Sequence, residues 1–439
     1  MNSFVCLLSH LKNSSFVKNV FIVMSGTVLG QAVGFFLLPV ISRLFTPADF
    51  GVFGSFNAVV NVVAAGVTLD YSQAIMLPKE KNDAMHLFFL SCLSTLFVTF
   101  LCLMATLVAH QSFMALVKAQ NMWILLLFVL TIMISGLNVS LQAWGVRAKA
   151  FKQTSVTQLI RSLSSSSMQV GLGFFKTGSI GLILSSVLAD LIASLNLLII
   201  FLNDFKISIK KIDRIKLRQL AKEYRDFPIY SASQNVINAL SSGLPVLLLT
   251  HFFGISIAGA YAFGVRLLTT PMGLITGAMR QVLFQKASET QHNGGSLIAL
   301  YLKVTVGLFA LGLLPTLILI IWAPEIFSFI FGIQWHNAGL YARWLILWML
   351  FVFCNVPAIL YARIIRIQRT VFFYDMILLV ARTTVLVIGG LYLTASQSIA
   401  LFSIIGASMN LLLIILVGYH VAKKEGDFMW RHSIRINRS

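Results

Sequence analysis

Residues 20–41 read VFIVMSGTVLGQAVGFFLLPVI, an uncharged apolar run that as a helix is long enough to cross a hydrocarbon core of about 30 Å. Similar runs follow at 50–71, 84–108, 122–144, 154–175, 178–202, 227–250, 255–278, 298–322, 340–361, 371–393 and 396–420. The first run, after Lys12 and Lys18, is longer than a signal-peptide core and continues through its small residues, so the N-terminus is expected to be retained. Between the runs the basic residues alternate in density. With the N-terminal tail placed in the cytoplasm, segments on that side hold 25 of the 33 Lys and Arg residues. The opposite loops hold only Arg43, Lys118 and Lys176. The positive-inside rule then predicts both termini in the cytoplasm.

Composition excludes most other classes. At 58% hydrophobic and 11% charged, the chain lacks the polar residues to cover a soluble domain of 439 residues. The net charge of +19 is spread thinly over the loops, with no aromatic-interleaved basic domain. That distribution predicts a phospholipid bilayer with anionic headgroups, and no nucleic acid, as its counterpart. Cys6, Cys92, Cys102 and Cys354 stand apart, and the His residues have no zinc-ligand spacing, so no metal site is expected. Without a GxxxxGK[ST] loop to hold a nucleotide, energy for transport would come from a partner or an ion gradient.

The longest polar connection, 203–226, divides the chain into an N-terminal lobe (1–202) and a C-terminal lobe (227–420), followed by a basic tail at 421–439. Within that linker Leu217, Leu220 and Tyr224 have helical spacing, which places part of it along the cytoplasmic interface. A faint repeat supports the division. Leu38-Pro39-Val40, Phe45 and Gly51-Val52-Phe53 correspond to Leu244-Pro245-Val246, Phe252-Phe253 and Gly259-Ala260-Tyr261, and Gln73 corresponds to Gln281. Six spans per half give both halves the same orientation in the membrane. The predicted fold is therefore all-α: twelve transmembrane helices in two six-helix lobes related by a pseudo-two-fold along the membrane normal.

The run Ile41-Ser42-Arg43-Leu44-Phe45-Thr46-Pro47-Ala48-Asp49-Phe50-Gly51-Val52-Phe53 resembles the signature hairpin of bacterial polysaccharide exporters, the O-antigen flippases of the oligosaccharidyl-lipid/polysaccharide transporter superfamily. Arg147-Ala148-Lys149-Ala150-Phe151 and Tyr224-Arg225-Asp226-Phe227-Pro228 sit where that family has similar elements. The resemblance implies a V-shaped pair of six-helix bundles in the bacterial inner membrane, alternating between inward- and outward-open states. It implies an undecaprenyl-diphosphate-linked oligosaccharide as substrate, moved from the cytoplasmic to the periplasmic leaflet. A polysaccharide polymerase and a chain-length regulator are the implied partners. The twelve-span count suits O-antigen flippases better than lipid II flippases, which have two additional C-terminal spans.

An anionic, hydrated headgroup needs fixed positive charge along a wet path, and charges inside spans usually face such an interior. Arg266, with Thr269, Thr270 and Gly273 on its face of span eight, is a candidate for lipid-phosphate contact or for a structural pair with an acid. The resemblance adds weight to the first, since related flippases carry cavity-facing cations in this helix. Arg161 shares a polar stripe with Gln158, Ser165 and Gln169. Arg382 either contacts substrate or joins an ion-pair network with Asp375, two turns earlier. Lys303 and Arg343 lie near span ends, where snorkelling is expected, and Arg43 is either an outer-exit contact or an interfacial anchor. Asp190 is the mid-membrane carboxylate, a partner for Arg161 or another cation, or a site that takes up a proton or Na⁺. Asn57/Asn61 and Gln234/Asn238 offer hydrogen bonds to other helices or to sugar hydroxyls. Gly26, Gly30 and Gly34 predict a close helix contact within the lobe, and Pro39, Pro245, Pro271, Pro315 and Pro357 permit kinks.

Two other functions compete. A multidrug efflux transporter of the same superfamily would favour cavity carboxylates, which are sparse here. A membrane polymerase or glycosyltransferase would need a catalytic extramembrane region or an acidic DxD cluster, and neither is visible, so a transporter and not an enzyme is expected.

Overall fold

The computed structural model describes residues 15–119, 121–205, 213–292, 296–365 and 367–436. Among these residues the secondary structure is helical throughout. Each expected span coincides with a helix, numbered here by span: α1 Ser15–Leu44, α2 Pro47–Gly66, α3 Lys81–Val108, α4 Trp123–Arg147, α5 Phe151–Phe174, α6 Ser179–Phe205, α7 Ala232–Phe253, α8 Ile255–His292, α9 Leu297–Phe331, α10 His336–Cys354, α11 Gln368–Tyr392 and α12 Ala395–Ile436. Among the described residues 9 of these helices are long and apolar enough to cross a membrane, counting the short segments that extend α7 and α10, and Val28–Leu44 of α1 adds a shorter apolar stretch. The other two, α5 and α8, carry the polar stripes singled out above, including Gln158, Arg161 and Arg266. The basic residues Lys206, Lys210, Lys211 and Arg366 lie outside the described residues.

Local chemistry explains the helix ends. Thr46 caps α2: its hydroxyl accepts from the Asp49 N–H while the Asp49 carboxylate accepts from the Thr46 N–H at 2.9 Å, with Pro47 in the first turn. The second run was expected to continue to 71, but α2 stops at Gly66, and Leu69 and Asp70 turn through positive φ of 48° and 59°. A short helix, Tyr71–Ala74, follows. The Arg147 guanidinium then fastens this corner, donating to the Ile75 carbonyl at 2.8 Å and the Glu80 carbonyl at 3.2 Å. Pro357 is not a kink in a continuous helix. The tenth span breaks at Asn355, and Pro357 opens a separate segment, Val356–Ile364, where a missing N–H costs nothing.

By compactness the chain divides into residues 1–259 and 260–439. In the first unit α1 lies along α5, α2 along α7, and α6 against α2, α4 and α5. The glycine run of α1 is part of this packing: Gly30 and Gly34 face Ser162, and the Ser162 hydroxyl donates to the Gly30 carbonyl. Near the start of α3 and the ends of α4 and α6, Phe88 stacks on Phe201 with ring centroids 4.2 Å apart, and Trp144 meets both rings edge-on. The linker helix Arg214–Glu223 joins this cluster through buried Leu220. In the second unit α10 packs on α9 and α12, and α12 also on α11. Phe263 stacks on Trp335 at 4.0 Å, and the Tyr301 hydroxyl donates to the Ile414 carbonyl at 2.7 Å.

The faint repeat has a physical counterpart in the first unit. The register that aligns Gly51 with Gly259 also aligns Pro47 with Ile255. A Cβ built on Gly51 would lie 2.0 Å from the Ile255 carbonyl oxygen, and one on Gly259 would lie 1.8 Å from the Pro47 carbonyl oxygen. Each repeat thus offers its glycine to the other's backbone, as in a two-fold contact. Ser55 and Thr250 hydroxyls at 2.8 Å and the approach of Gly243 to Ala58 continue the α2–α7 seam.

Candidate transport site

A chain of polar groups crosses the interior of the first unit. The Gln142 amide donates to Asn138, the Asn138 amide to the Ser194 hydroxyl at 3.0 Å, and that hydroxyl to the Asp190 carbonyl at 2.8 Å. The Asp190 carboxylate receives the Arg161 Nε–H, which completes a connection from α4 through α6 to α5. Asn138 and Ser194 are buried, so their mutual hydrogen bond removes a desolvation cost that either alone would carry. At the end of the chain, the Arg161 side chain is 48% exposed while that of Asp190 is 14% exposed. Asp190 is therefore the partner of Arg161, the first of the two readings its sequence position allows. The carboxylate takes one guanidinium N–H, and neither terminal amino group has a hydrogen-bond partner among the described residues.

The other residues of the α5 stripe are divided. Gln158 is half-buried, its carbonyl close to Gly30, while Gln169 is buried and donates to Ser165 at 3.3 Å. The Thr157 hydroxyl reaches Asn196 of α6 at 2.9 Å, a link with no local signal in the sequence. Along the α2–α7 seam Asn57 is half-buried, and Asn61, Gln234 and Asn238 are exposed. None of these four side chains has a hydrogen-bond partner among the described residues. Exposed amides at this depth of a spanning helix require water or a polar ligand beside them. Arg43, exposed at the end of α1, borders a shallow depression with Pro39, Val40 and Leu44.

The cations of the second unit occupy contrasting surroundings. Arg266 of α8 is half-buried, and its guanidinium makes no ion pair or hydrogen bond with a described residue; its carbonyl accepts from the Thr270 hydroxyl at 2.7 Å and the Thr269 hydroxyl at 3.4 Å. No acid therefore answers the structural-pair alternative for Arg266 among the described residues. Arg382 differs from expectation. Its guanidinium carbon lies 3.9 Å from the Trp348 ring centroid and 3.9 Å from that of Phe402, sandwiched between α10 and α12. Asp375 is exposed on α11 and makes no ion pair with it among the described residues, so the aromatic faces replace the expected acid network. Nothing local in the sequence marks Trp348 and Phe402 as the partners. Lys303 is exposed, whereas Arg343 donates to the Ile321 carbonyl at 3.0 Å.

A family model for polysaccharide biosynthesis proteins matches residues 40–339. Among solved structures, the lipid II flippase MurJ in an inward closed conformation superposes with a TM-score of 0.69 at 12% identity, covering 94% of this chain and 100% of that one. An inward-facing multidrug resistance MATE family transporter of the MOP superfamily gives 0.61 at 13% identity, covering 89% and 94%. A MOP superfamily transporter from Pyrococcus furiosus, described as having a binding pocket of reverse polarity, gives 0.59 at 12% identity, covering 93% and 96%. No curated protein matches the sequence. At these identities the structural likeness establishes the fold, and the family match is independent of it. The chain belongs to the polysaccharide biosynthesis protein family and is a multi-pass membrane protein with the fold of MOP-superfamily transporters.

Proposed function

We propose that the protein is a flippase that moves undecaprenyl-diphosphate-linked O-antigen or related oligosaccharide units from the cytoplasmic to the periplasmic leaflet of the inner membrane. The observation that carries this reading is the half-exposed Arg161 head at the end of a buried polar chain, with neither terminal amino group bonded among the described residues. Such a fork suits phosphate oxygens, and Arg266, without an acid partner, supplies a second fixed charge. The uncovered amides of Asn57, Asn61, Gln234 and Asn238 suit sugar hydroxyls, and Arg43 and Lys303 are lesser contributors to the cationic path. Family membership in polysaccharide biosynthesis and a lipid flippase among the structural neighbours both favour this substrate class over drugs. Both termini lie in the cytoplasm in this proposal, and coupling to a proton or Na⁺ would pass through Asp190 or Asp375. A polymerase and a chain-length regulator would receive the product.

The test separates charge from packing. Arg161→Gln strands the Asp190 carboxylate and costs about 1–2 kcal/mol, discounted for the exposure of the pair. The double variant Arg161→Gln/Asp190→Asn restores a neutral hydrogen-bonded pair and should recover thermal stability. Binding of a lipid-linked diphosphate oligosaccharide to the purified protein should stay impaired in the double variant. Full binding and transport by a stable double variant would remove Arg161 from the site. Asp190→Asn alone should keep binding and lose any dependence of transport on an ion gradient.

A further inference from the structure

The linker helix Arg214–Glu223 has two faces with different tasks. Its inner face is fixed to the first unit. Leu220 is buried, Ala221 accepts from the Tyr71 hydroxyl at 3.4 Å, Lys216 pairs with Asp83 at 3.0 Å, and the Asp213 N–H donates to His86 Nε2 at 3.1 Å. The Asp83 carboxylate holds the Lys216 ammonium above its ordinary pKa, chiefly by their hydrogen bond. Through these contacts the helix lies beside the first turn of α3 and the Tyr71–Ala74 corner, at the level where the apolar spans begin.

The outer face is basic and partly apolar. Arg214, Arg218 and Lys222 recur every four residues, all exposed and without an ion-pair or hydrogen-bond partner among the described residues. Ile215 stands between them at 78% exposure. Of the nearby acids, Asp213 caps the helix by accepting from the Ile215 N–H at 2.8 Å, and Glu223 falls at the edge of this stripe. Exposed cations around an apolar side chain, held at the ends of membrane spans, match the charge and depth of an anionic lipid surface. We propose that this face docks on anionic phospholipid headgroups and ties the linker to the bilayer. The proposal goes beyond the transport reading and does not depend on which substrate is moved.

Hydrogen exchange of the full chain in nanodiscs tests it. Discs of phosphatidylcholine alone are compared with discs that also contain phosphatidylglycerol. Each cation near such a surface contributes about fivefold in affinity. For the three cations together, amides of residues 213–225 should therefore exchange on the order of a hundredfold more slowly in the anionic discs, while those of α3 exchange alike in both. The difference should vanish for Arg214→Gln/Arg218→Gln/Lys222→Gln, whose native side chains make no ion pair or hydrogen bond among the described residues, and at about 1 M salt, where the Debye length is about 3 Å. Equal exchange in the two discs, or undiminished protection of the triple variant, overturns the proposal. So does equivalent protection by inorganic pyrophosphate in phosphatidylcholine discs, which would assign the face to soluble or substrate diphosphate.

Discussion

Gly51→Ala puts a methyl carbon 2.0 Å from the Ile255 carbonyl oxygen and 2.8 Å from its carbonyl carbon. Ordinary contact begins at 3.4 Å, and both obstructing atoms are backbone, so α2 and the start of α8 must separate by more than an ångström. Overpacking of this kind costs about 1–3 kcal/mol, and the upper end applies because no side chain can rotate away. Gly259→Ala meets the Pro47 carbonyl oxygen at 1.8 Å and should cost a similar amount. The reciprocal geometry adds a sharper expectation: one displacement relieves both clashes, so the double variant should cost less than the sum of the two singles. Thermal unfolding of the four proteins in one detergent measures this, with Gly307→Ala as the control, since a Cβ there meets nothing within 4 Å. A Gly51→Ala protein that melts with wild type, or strict additivity in the cycle, would refute the reciprocal crossing.

Substitutions at two further positions probe contacts that the sequence did not announce. Arg382→Lys should lose most of the sandwich between Trp348 and Phe402, because an ammonium cannot stack flat on two rings, and Arg382→Ala should lose it all; a drop of about 1–3 kcal/mol in stability with unchanged affinity for a lipid-linked diphosphate is expected, whereas lost affinity in a stable Arg382→Lys protein would return this residue to the substrate path. His86→Ala removes the acceptor for the Asp213 N–H and should raise proteolysis and amide exchange at 213–223 without changing the melting of the α3–α4 core, while unaltered exchange there would deny the contact a role in holding the linker helix.

The spans were legible because each is a long apolar run, and their helical nature follows from the need to satisfy backbone groups inside a bilayer. Their ends were less so. Val67-Thr68-Leu69 prolongs the apolar run beyond Gly66, where α2 ends, and the backbone turns at Leu69 and Asp70 with no glycine at either position. The break at Asn355 was hidden for a related reason: hydropathy averages over one polar residue, and only the tertiary bond from Asn355 to Asn410 at 2.9 Å shows where that amide is used. In the candidate site, Arg161 and Asp190 could be matched in advance because few opposite charges lie at mid-span. Arg382 could not be matched to its rings. With 35 Phe and 7 Trp residues, the chain offers too many aromatic partners for spacing to choose among them. Asp375, the partner spacing did suggest, lies two helical turns away, about 10 Å along the axis, and remains exposed.

The different surroundings of Arg161, Arg266 and Arg382 bear on how a carrier could release what it binds. A cation without any counter-charge holds a diphosphate tightly, and differential affinity between two states is what transport requires. Arg382, enclosed by two rings, has much of its surface already occupied. Arg266, with no acid partner among the described residues, offers the stronger unmodulated charge. Arg161 is the adjustable one, since Asp190 competes with phosphate for the same guanidinium and is itself tied through Ser194 and Asn138 to α4. A shift of α6 relative to α5 would lengthen the Arg161–Asp190 contact and raise the affinity of Arg161 for phosphate, and its return would lower it. Under the proposed function, that competition gives the polar chain a reason to run through Asp190 rather than end in an unopposed arginine.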